Sequence, residues 1–483
     1  MVISVVAARY LGPSGMGRQS FIAFVSLSAT ALLSAGIYQG LLRFVGESLG
    51  QERPGVVRDL TIWATRVQVA AAGIGGAAVA MPGLAGAEPR LAWVLAGLVT
   101  ALSVGAAVPQ SALAGAQRWR EMSIVGLVSG TLAVPATIAV LAAGGGITGM
   151  FAVEAATVAM GFAATSVLTR RMLRDIGAYR RPERGPRRAA GRFSALSTIG
   201  VLTGLIVWKR SEFFFLEAYS SDAQLAFYSI AFAAVSGLVL IPDALGNVLS
   251  PAFATLHGAG ARDRIRSGYW RAQRLLLTLS LPLTAGLLAL GPALLQVVYG
   301  DDYREAGPVF LIMMSVFPLI PLRTVAAGLL VGLGMLRFRL ISDSLAACVT
   351  IGLNFFFVPM YDSLGAALAN VGGQLAVVVP VVIYTALLQR PIGFEVRFIV
   401  ATAAASAAAG GAAWLLLSLF GGAAGLFLGA VAGAAVFVSL AAGLRILSPD
   451  DGTWLAETVG AHLGQRVGKG VLVLAGSHGR DRT

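Results

Sequence analysis

The chain has 483 residues, of which 57% are hydrophobic and only 12% are charged, and its formal net charge is +13. A soluble protein of this length would carry about 25% charged residues, so the composition excludes a soluble protein and indicates one that lies in a bilayer. Neither an internal disulfide nor a metal or other cofactor is expected, because the only cysteine is Cys348 and the histidines (His257, His462, His478) are scattered.

Apolar runs long enough to cross the hydrocarbon core recur along the whole chain. They predict an all-α polytopic membrane protein with about fourteen transmembrane helices, at residues 1–9, 19–45, 60–80, 91–115, 122–143, 147–169, 194–217, 224–249, 272–298, 306–333, 338–359, 364–388, 394–419 and 422–446. The first run is too short to span a bilayer. We interpret it as the second half of a helix whose beginning is missing, with a misassigned start codon as the expected reason.

The loops between these spans alternate in arginine content. One set holds the nine arginines of 170–192, followed in number by Arg262, Arg264, Arg266 and Arg271, whereas the other set holds little beyond Arg18, Arg90 and Arg304. Because cytoplasmic loops collect Lys and Arg, the first set is assigned to the cytoplasm. The protein is thus predicted to span the inner (cytoplasmic) membrane with both termini in the cytoplasm. The membrane setting favours a cytoplasmic linker at 170–193 over a nucleic-acid site.

A weak internal repeat divides the chain. When the sequence is shifted by about 208 residues, Arg58 aligns with Arg266 and Arg66 aligns with Arg274. The repeat predicts two pseudo-symmetric six-helix lobes with two added helices and a cytoplasmic tail, at 1–169, 194–390, 391–446 and 447–483. No loop exceeds about 25 residues, which leaves no room for a soluble catalytic domain, so the chain is not expected to be an enzyme.

The first lobe contains a motif that resembles one in polysaccharide flippases. ARYLGPSGMG at 8–17 is similar to the element that ends the first helix of that family, with Ala8, Arg9, Leu11, Gly12, Pro13 and Gly17 in place. The family repeats this element after its seventh helix, and SSDAQLAFYSIAFA at 220–233 occupies that place here. Ala226 stands where glycine is usual.

The second lobe contains two further motifs of this kind. VVYGDDYREAGPVFLIM at 297–313 resembles the stretch that precedes helix ten in the family. LNFFFVPMYDSLGAALAN at 353–370 resembles a later signature in which Asp362 replaces a common glycine. The motifs occur in the family's order and extend over both lobes.

The chain therefore resembles the Wzx-type lipid-linked oligosaccharide flippases of the multidrug/oligosaccharidyl-lipid/polysaccharide exporter superfamily. The resemblance implies two lobes around a V-shaped cavity and alternating-access translocation of a polyprenyl-diphosphate-linked oligosaccharide for cell-surface polysaccharide biosynthesis. The implied partners are this glycolipid, membrane lipids and glycan polymerase or export machinery. Three alternatives stay open: an ion-coupled small-molecule or drug antiporter, a lipid II flippase, and a membrane polymerase or ligase, whose long outer loop is missing here.

Cations inside the predicted spans are the candidate substrate-binding residues, because a diphosphate in the hydrocarbon core needs fixed positive charges. Lys209, Arg210 and Glu212 interrupt the seventh span. Lys209 and Glu212 are three residues apart and can neutralise each other, which leaves Arg210 for the substrate, although a purely structural ion pair is an equal alternative. Further cations lie within other spans, with snorkelling to headgroups as the alternative, at Arg66, Arg274 and Arg323.

Acidic and amide side chains inside the spans complete the candidate set. Ion-coupling or charge-pair roles are predicted for Glu212, Asp243, Asp343 and Glu154. Contact with sugar hydroxyls is predicted for Asn354, Gln374 and Gln39, with interhelical hydrogen bonds as the alternative.

Overall fold

The computed structural model describes residues 2–175, 187–195, 197–198, 211–390 and 396–446, without the side chains of residues 241, 243–248 and 336. Lys209, Arg210, most of the linker at 170–193, the side chain of Asp243 and the predicted tail at 447–483 lie outside the described part. Within it, every regular element is helical. The helices are α1 (Val2–Gly50), α2 (Pro54–Leu84), α3 (Arg90–Gly115), α4 (Trp119–Ala142), α5 (Gly146–Asp175), α6 (187–195), α7 (Glu212–Tyr219), α8 (Asp222–Gly258), α9 (Arg262–Tyr299), α10 (Ala306–Ser315), α11 (Leu319–Gly332), α12 (Leu336–Leu388), α13 (Val396–Phe420) and α14 (Gly422–Gly443).

Ten of the described helices are long and apolar enough to cross a membrane, and the bent pair of α10 and α11 raises the number to 11. Two of these helices contain two predicted spans each. Backbone angles are not helical at Gly12 in α1 and at Asp362 in α12, which are the points where the predicted spans meet. The architecture confirms an all-α polytopic membrane protein with the predicted pattern of spans.

Two compact units make up the chain, Met1–Ala226 (unit 1) and Phe227–Thr483 (unit 2). At one end of unit 1, α1, α2, α3, α5 and α6 share an apolar core that includes Leu41, Leu60, Leu113, Met172 and Ala190. Arg187 of α6 donates two hydrogen bonds to the carboxylate of Asp59 in α2, one of them from Nε to Oδ2 at 2.6 Å. We call this the Asp59 end of unit 1.

The opposite end of unit 1 is held together by Arg18. Its Nη1 lies 2.6 Å from Oε1 of Glu217, and its Nε donates to the carbonyl of Glu88 at 3.0 Å. The guanidinium also lies 5.8 Å from the ring centre of Trp93. We call this the Arg18 end. The loops before α3 and after α7 thus share an end with Arg18, as the alternation of the loops predicts.

Unit 2 shows the same sorting of its loops. Trp270 near the start of α9 donates from Nε1 to the carbonyl of Gln389 at 2.9 Å, and Arg266 donates to the carbonyl of Arg390 at 3.4 Å. The arginine-rich loop before α9 and the loop after α12 therefore lie at one end of unit 2. The assignment of such ends to the cytoplasm stays a prediction.

The family-like motifs coincide with positions where the backbone excludes ordinary side chains. Gly12 has φ +66°, and a Cβ on Gly17 would overlap the backbone carbonyl of Asp222. Asp362 has φ +50°, in the region that favours glycine, and a Cβ on Gly365 would overlap the carbonyl of Phe357. Asp362 therefore carries strain that the glycine usual at this position would avoid.

Candidate functional site

A polar cavity of about 790 Å³ lies inside unit 1 between α1, α3, α4 and α5. Hydroxyl or amide groups from all four helices line it, together with apolar residues that include Met122 and Phe162. The polar members are Thr30, Ser34, Tyr38, Gln39, Ser103, Gln110, Ser129, Thr157 and Thr165. Such a cavity within an apolar bundle is suited to a ligand with many hydroxyl groups, because each buried polar group needs a hydrogen-bond partner.

The hydroxyls of the cavity are oriented by their own helices. Ser34 and Ser129 each donate to the carbonyl four residues earlier at 2.6 Å, Thr157 does so at 3.0 Å, and Thr165 at 2.8 Å. These bonds fix the side-chain rotamers before any ligand arrives.

Unlike these hydroxyls, the glutamine side chains of the cavity are not engaged in hydrogen bonds within the described part of the protein. Neither the side-chain amide of Gln39 nor that of Gln110 has a hydrogen-bond partner in the part of the chain that the structure describes. Gln39 is the one predicted sugar-contact residue that lines this cavity. Each amide has donors and an acceptor available for a ligand.

Arg43 continues this wall towards the Asp59 end. It follows Ala35 and Gln39 at a spacing of four residues, so the three lie in one row on α1. The Arg43 guanidinium is exposed and lies 4.9 Å from the ring centre of Phe193 in α6. No carboxylate pairs with it among residues 2–175, 187–195 and 211–446 where these are described. Its positive charge is therefore available to an anion.

Glu154 continues the cavity wall towards the Arg18 end. On α5 it precedes the lining residues Thr157, Val158 and Gly161 at spacings of three, four and seven residues, which puts all of them on one face. Glu154 is itself exposed. Within the described residues its carboxylate has neither a hydrogen bond nor an ion pair.

An apolar cavity of about 470 Å³ lies in unit 2 between α9, α13 and α14. Leucine, alanine and glycine side chains form nearly all of its wall, with Phe437 from α14 and Pro282 from α9. The glycines of α14 allow the close approach of α13, since a Cβ on Gly429 or Gly433 would meet the carbonyls of Ala413 or Ala409. This wall has the composition of a hydrocarbon-binding surface.

Most of the predicted cations lie outside both cavities. Arg66 is exposed on α2, whereas Arg274 and Arg323 are half-buried in α9 and α11. Their substrate roles stay predictions. Two residues after Arg66, Gln68 is buried and donates to the carbonyl of Val104 at 3.2 Å.

A buried glutamine that donates to a carbonyl of a neighbouring helix is also present in unit 2. Gln273 of α9 is also buried and donates to the carbonyl of Leu322 in α11 at 3.1 Å. The sequence alignment that pairs Arg66 with Arg274 misses this match by three residues, nearly one helical turn.

Three of the predicted acidic and amide residues, Asp343, Asn354 and Gln374, are held in local contacts. Asp343 lies 3.7 Å from Arg339 and within the electrostatic reach of Arg323. Asn354 is fully buried and donates to the carbonyl of Thr350 at 2.9 Å, and Gln374 donates to Asn370 at 2.6 Å. Glu212 is only 1% exposed. Its predicted partner Lys209 and the neighbouring Arg210 are outside the described residues, so the main predicted site is not described.

Sequence reasoning missed Arg43, Tyr38, Gln110 and the hydroxyls of α4 and α5. The signal for Arg43 was present, because it lies inside the predicted span 19–45 four residues after Gln39. The hydroxyls gave no such signal, since serine and threonine are frequent in membrane helices and often bond their own backbone.

The sequence model of a protein family described as "Polysaccharide biosynthesis protein" matches residues 6–308. No curated protein sequence matches the chain. Among solved structures, the lipid II flippase MurJ in an inward closed conformation superposes with a TM-score of 0.69 at 13% identity, covering 92% of this chain and 95% of that one.

Two transporters of the MOP superfamily have a similar fold. An inward-facing multidrug resistance MATE family transporter gives a TM-score of 0.66 at 14% identity, over 81% of this chain and 94% of its own. A transporter from Pyrococcus furiosus, described as having a binding pocket of reversed polarity, gives 0.56 at 14% identity, over 81% and 92%. These similarities establish the fold of the chain as that of the MOP superfamily.

Proposed function

Because the chain belongs to the polysaccharide biosynthesis protein family, we propose that it is a flippase for a polyprenyl-diphosphate-linked oligosaccharide. The polar cavity of unit 1 is the observation that carries this proposal. It offers hydroxyl and amide groups inside a bundle whose surroundings are apolar, which is what a sugar headgroup needs while it crosses a bilayer. Transport proceeds by alternating access across the cytoplasmic membrane, with both chain termini in the cytoplasm.

The diphosphate of the substrate binds at Arg43. A guanidinium donates two parallel hydrogen bonds to phosphate oxygens, and the ring of Phe193 holds this guanidinium without neutralising it. Arg43 lies towards the Asp59 end of unit 1, where the arginine-rich loops meet. If that end faces the cytoplasm, the diphosphate enters first at Arg43 while the sugars reach Gln39 and Gln110.

The apolar cavity of unit 2 is suited to a hydrocarbon chain such as a polyprenyl tail. Leucine, alanine and glycine form nearly all of its wall, and the hydroxyl of Thr278 donates to the carbonyl of Arg274 in its own helix, so the wall offers little to a polar group. The similarity to a lipid II flippase is compatible with this class of substrate, and the identity of the glycan is left to the experiment.

Flipping in proteoliposomes tests the proposal. The probe is a polyprenyl diphosphate oligosaccharide with a fluorescent label on its sugar, and the signal is the label that becomes accessible to an impermeant quencher. The Gln39→Leu, Gln110→Leu double variant loses two hydrogen bonds of about 1 kcal/mol each, so transport should fall by roughly 10-fold to 30-fold. Arg43→Ala should lower it by at least about 10-fold, with partial recovery in Arg43→Lys.

The control is Gln296→Leu, which makes the same change at a half-buried position that lines neither cavity. It should flip the probe at the wild-type rate. Wild-type protein that leaves this probe in place would refute the proposed function, and export of a cationic drug instead would favour the small-molecule antiporter.

A further inference from the structure

The first two-thirds of α4 are the least packed wall of the polar cavity. From Trp119 to Ala136 no residue of this helix is buried, and Met122, which touches the apolar core at the Asp59 end, is only half-buried. Lipid accounts for the outward side of such a helix. It does not account for the cavity side, where Gly126 and Gly130 are also exposed. This part of α4 therefore stands apart from the opposite wall.

The cavity side of α4 has a surface that suits close helix packing. Gly126 and Gly130 form a G-x-x-x-G pair, the spacing at which two membrane helices bring their backbones into contact. A Cβ added to either glycine would meet no described atom within 4 Å. On α1, in contrast, a Cβ on Gly36 or Gly40 would overlap Ser194 of α6. The glycine pair of α4 is thus suited to a contact that it does not make in this structure.

The other end of α4 is fixed to α5. A Cβ on Gly149 would overlap the side chain of Val140, so the turn that joins the two helices is tightly packed. Pro135 lies inside α4, between this fixed end and the unpacked residues 119–134. Because proline has no N–H, one carbonyl of the preceding turn lacks its helical partner, and a helix bends most easily at such a point.

Polar groups face each other across the gap. Gln39 of α1 is exposed, and Ser129 of α4 lines the same cavity. A sugar between them can donate to the hydroxyl oxygen of Ser129 and bond the amide of Gln39, which joins the two helices through the ligand. Closure of α4 over the sugar also separates the headgroup from hydrocarbon, where unpaired polar groups are strongly unfavourable.

We propose that residues 119–134 form a lid that bends at Pro135 and closes towards α1 over a bound glycan. The inference rests on the proposed function. Ser123 in the lid lies twelve residues, or about 18 Å, from Pro135, so a bend of about 15° carries it about 5 Å towards α1. Gly126 and Gly130 provide the space for this approach. Release of the glycan reopens the lid.

Distances between two spin labels test the movement. The labels are attached to a Cys348→Ser protein, one at Ser123→Cys in the lid and one at Thr65→Cys on α2, both at exposed positions. Addition of the polyprenyl diphosphate oligosaccharide to the protein in nanodiscs should shift their distance by about 5 Å. An unchanged distance would overturn the proposal.

The control pair places the first label beyond the hinge, at the exposed Ala142→Cys, and keeps the second at Thr65→Cys. Its distance should stay constant when the glycolipid is added. An equal shift in this pair would also overturn the proposal, since α4 would then move as a whole.

Flipping of the labelled glycolipid tests the hinge and the glycines. Pro135→Ala lines neither cavity and adds a backbone hydrogen bond that bending must weaken, so it should reduce the distance shift and lower flipping about fivefold. Gly126→Leu fills the gap into which the lid closes and should lower flipping at least about tenfold. Gly352→Leu is the matched control, because Gly352 is exposed, lines neither cavity and has the same free space around an added Cβ. It should flip the probe at the wild-type rate.

The possible failures can be told apart. None of the three variants should unfold at a lower temperature than the wild type, which separates lid closure from a folding defect. Wild-type rates of flipping in both Pro135→Ala and Gly126→Leu would overturn the lid and leave the flippase intact. Absence of flipping in the wild type refutes the proposed function, whereas the spin-label distances still decide whether α4 closes on a glycan.

Discussion

The bond between Arg187 and Asp59 should be essential for the stability of unit 1. The side chain of Asp59 is 5% exposed and that of Arg187 is 31% exposed. Arg187→Ala leaves a buried carboxylate without its cation and its two hydrogen-bond donors. The cost of breaking a buried ion pair on one side is about 3–5 kcal/mol, and the partial exposure of Arg187 puts the expected value near the lower limit.

The pair also predicts a specific order among variants. Arg187→Lys keeps the charge but loses the two-pronged geometry, so it should cost about 1 kcal/mol. The double variant Asp59→Ala, Arg187→Ala should be less destabilised than Arg187→Ala alone, because no charge is left buried, with a coupling energy of about 1–3 kcal/mol.

Unfolding in mixed micelles with increasing dodecyl sulfate, followed by far-UV circular dichroism and tryptophan fluorescence, measures these differences. Arg188→Ala is the matched control, because Arg188 is the next residue, is exposed and has neither a hydrogen bond nor an ion pair with another described residue. It should change the stability by less than about 0.5 kcal/mol. Equal stability of Arg187→Ala and Arg188→Ala would refute the reasoning.

Three further predictions concern single positions. Asp362→Gly should stabilise the protein by about 1 kcal/mol by removing strain at φ +50°, whereas Asp362→Ala should not, as a thermal unfolding comparison will show. Gly17→Ala should sharply reduce the yield of folded protein in size-exclusion chromatography because its Cβ would overlap the carbonyl of Asp222, and Gly50→Ala, which meets no atom, should not. Burial, then the charge of Asp302, raises the pKa of Tyr303 well above its usual value, so its stabilising effect is present below about pH 10 and is lost as the pH rises further. Tyr303→Phe should flatten this alkaline loss of stability, and an unchanged pH profile would contradict it.

Much of the fold could be predicted from the sequence. Bilayer thickness determines the length of a membrane-spanning helix, and arginine-rich loops alternate with arginine-poor loops along the chain. The kinks at Gly12 and Asp362 fall where the sequence motifs place them, and Asp362 was recognised as a replacement for glycine before its φ was known. These features depend on local sequence alone.

The candidate site was less predictable. In a membrane bundle the residues that face lipid and those that face a neighbouring helix are both apolar, so periodicity does not reveal which faces of α1, α3, α4 and α5 surround the cavity. Gln39 was singled out as a polar residue in a span, whereas Arg43, one turn on, was passed over. Their spacing of four residues puts the two in one row, but only the packing of the helices shows that this row borders the cavity.

The extent of the basic segment also needed the structure. Its first residues continue α5, and 187–195 form α6, where Ser194 packs so closely on α1 that Gly36 and Gly40 have no room for a side chain. From its arginine content, the segment 170–193 was predicted to be a cytoplasmic linker. The hydrogen bond from Arg187 to Asp59 joins residues that are 128 positions apart in the sequence, so no local sequence pattern predicts it.

The internal bonds of the cavity hydroxyls determine what kind of molecule the cavity prefers. Ser34, Ser129, Thr157 and Thr165 each direct their single hydrogen at a carbonyl of their own helix, so they present only oxygen lone pairs to the interior. At these four hydroxyls a ligand must supply the hydrogens. Polyols and amines do so, whereas ethers and esters cannot. A glycan whose hydroxyls are capped by methyl groups would therefore lose these four contacts and keep only hydrogen bonds donated by side chains such as Gln39 and Gln110.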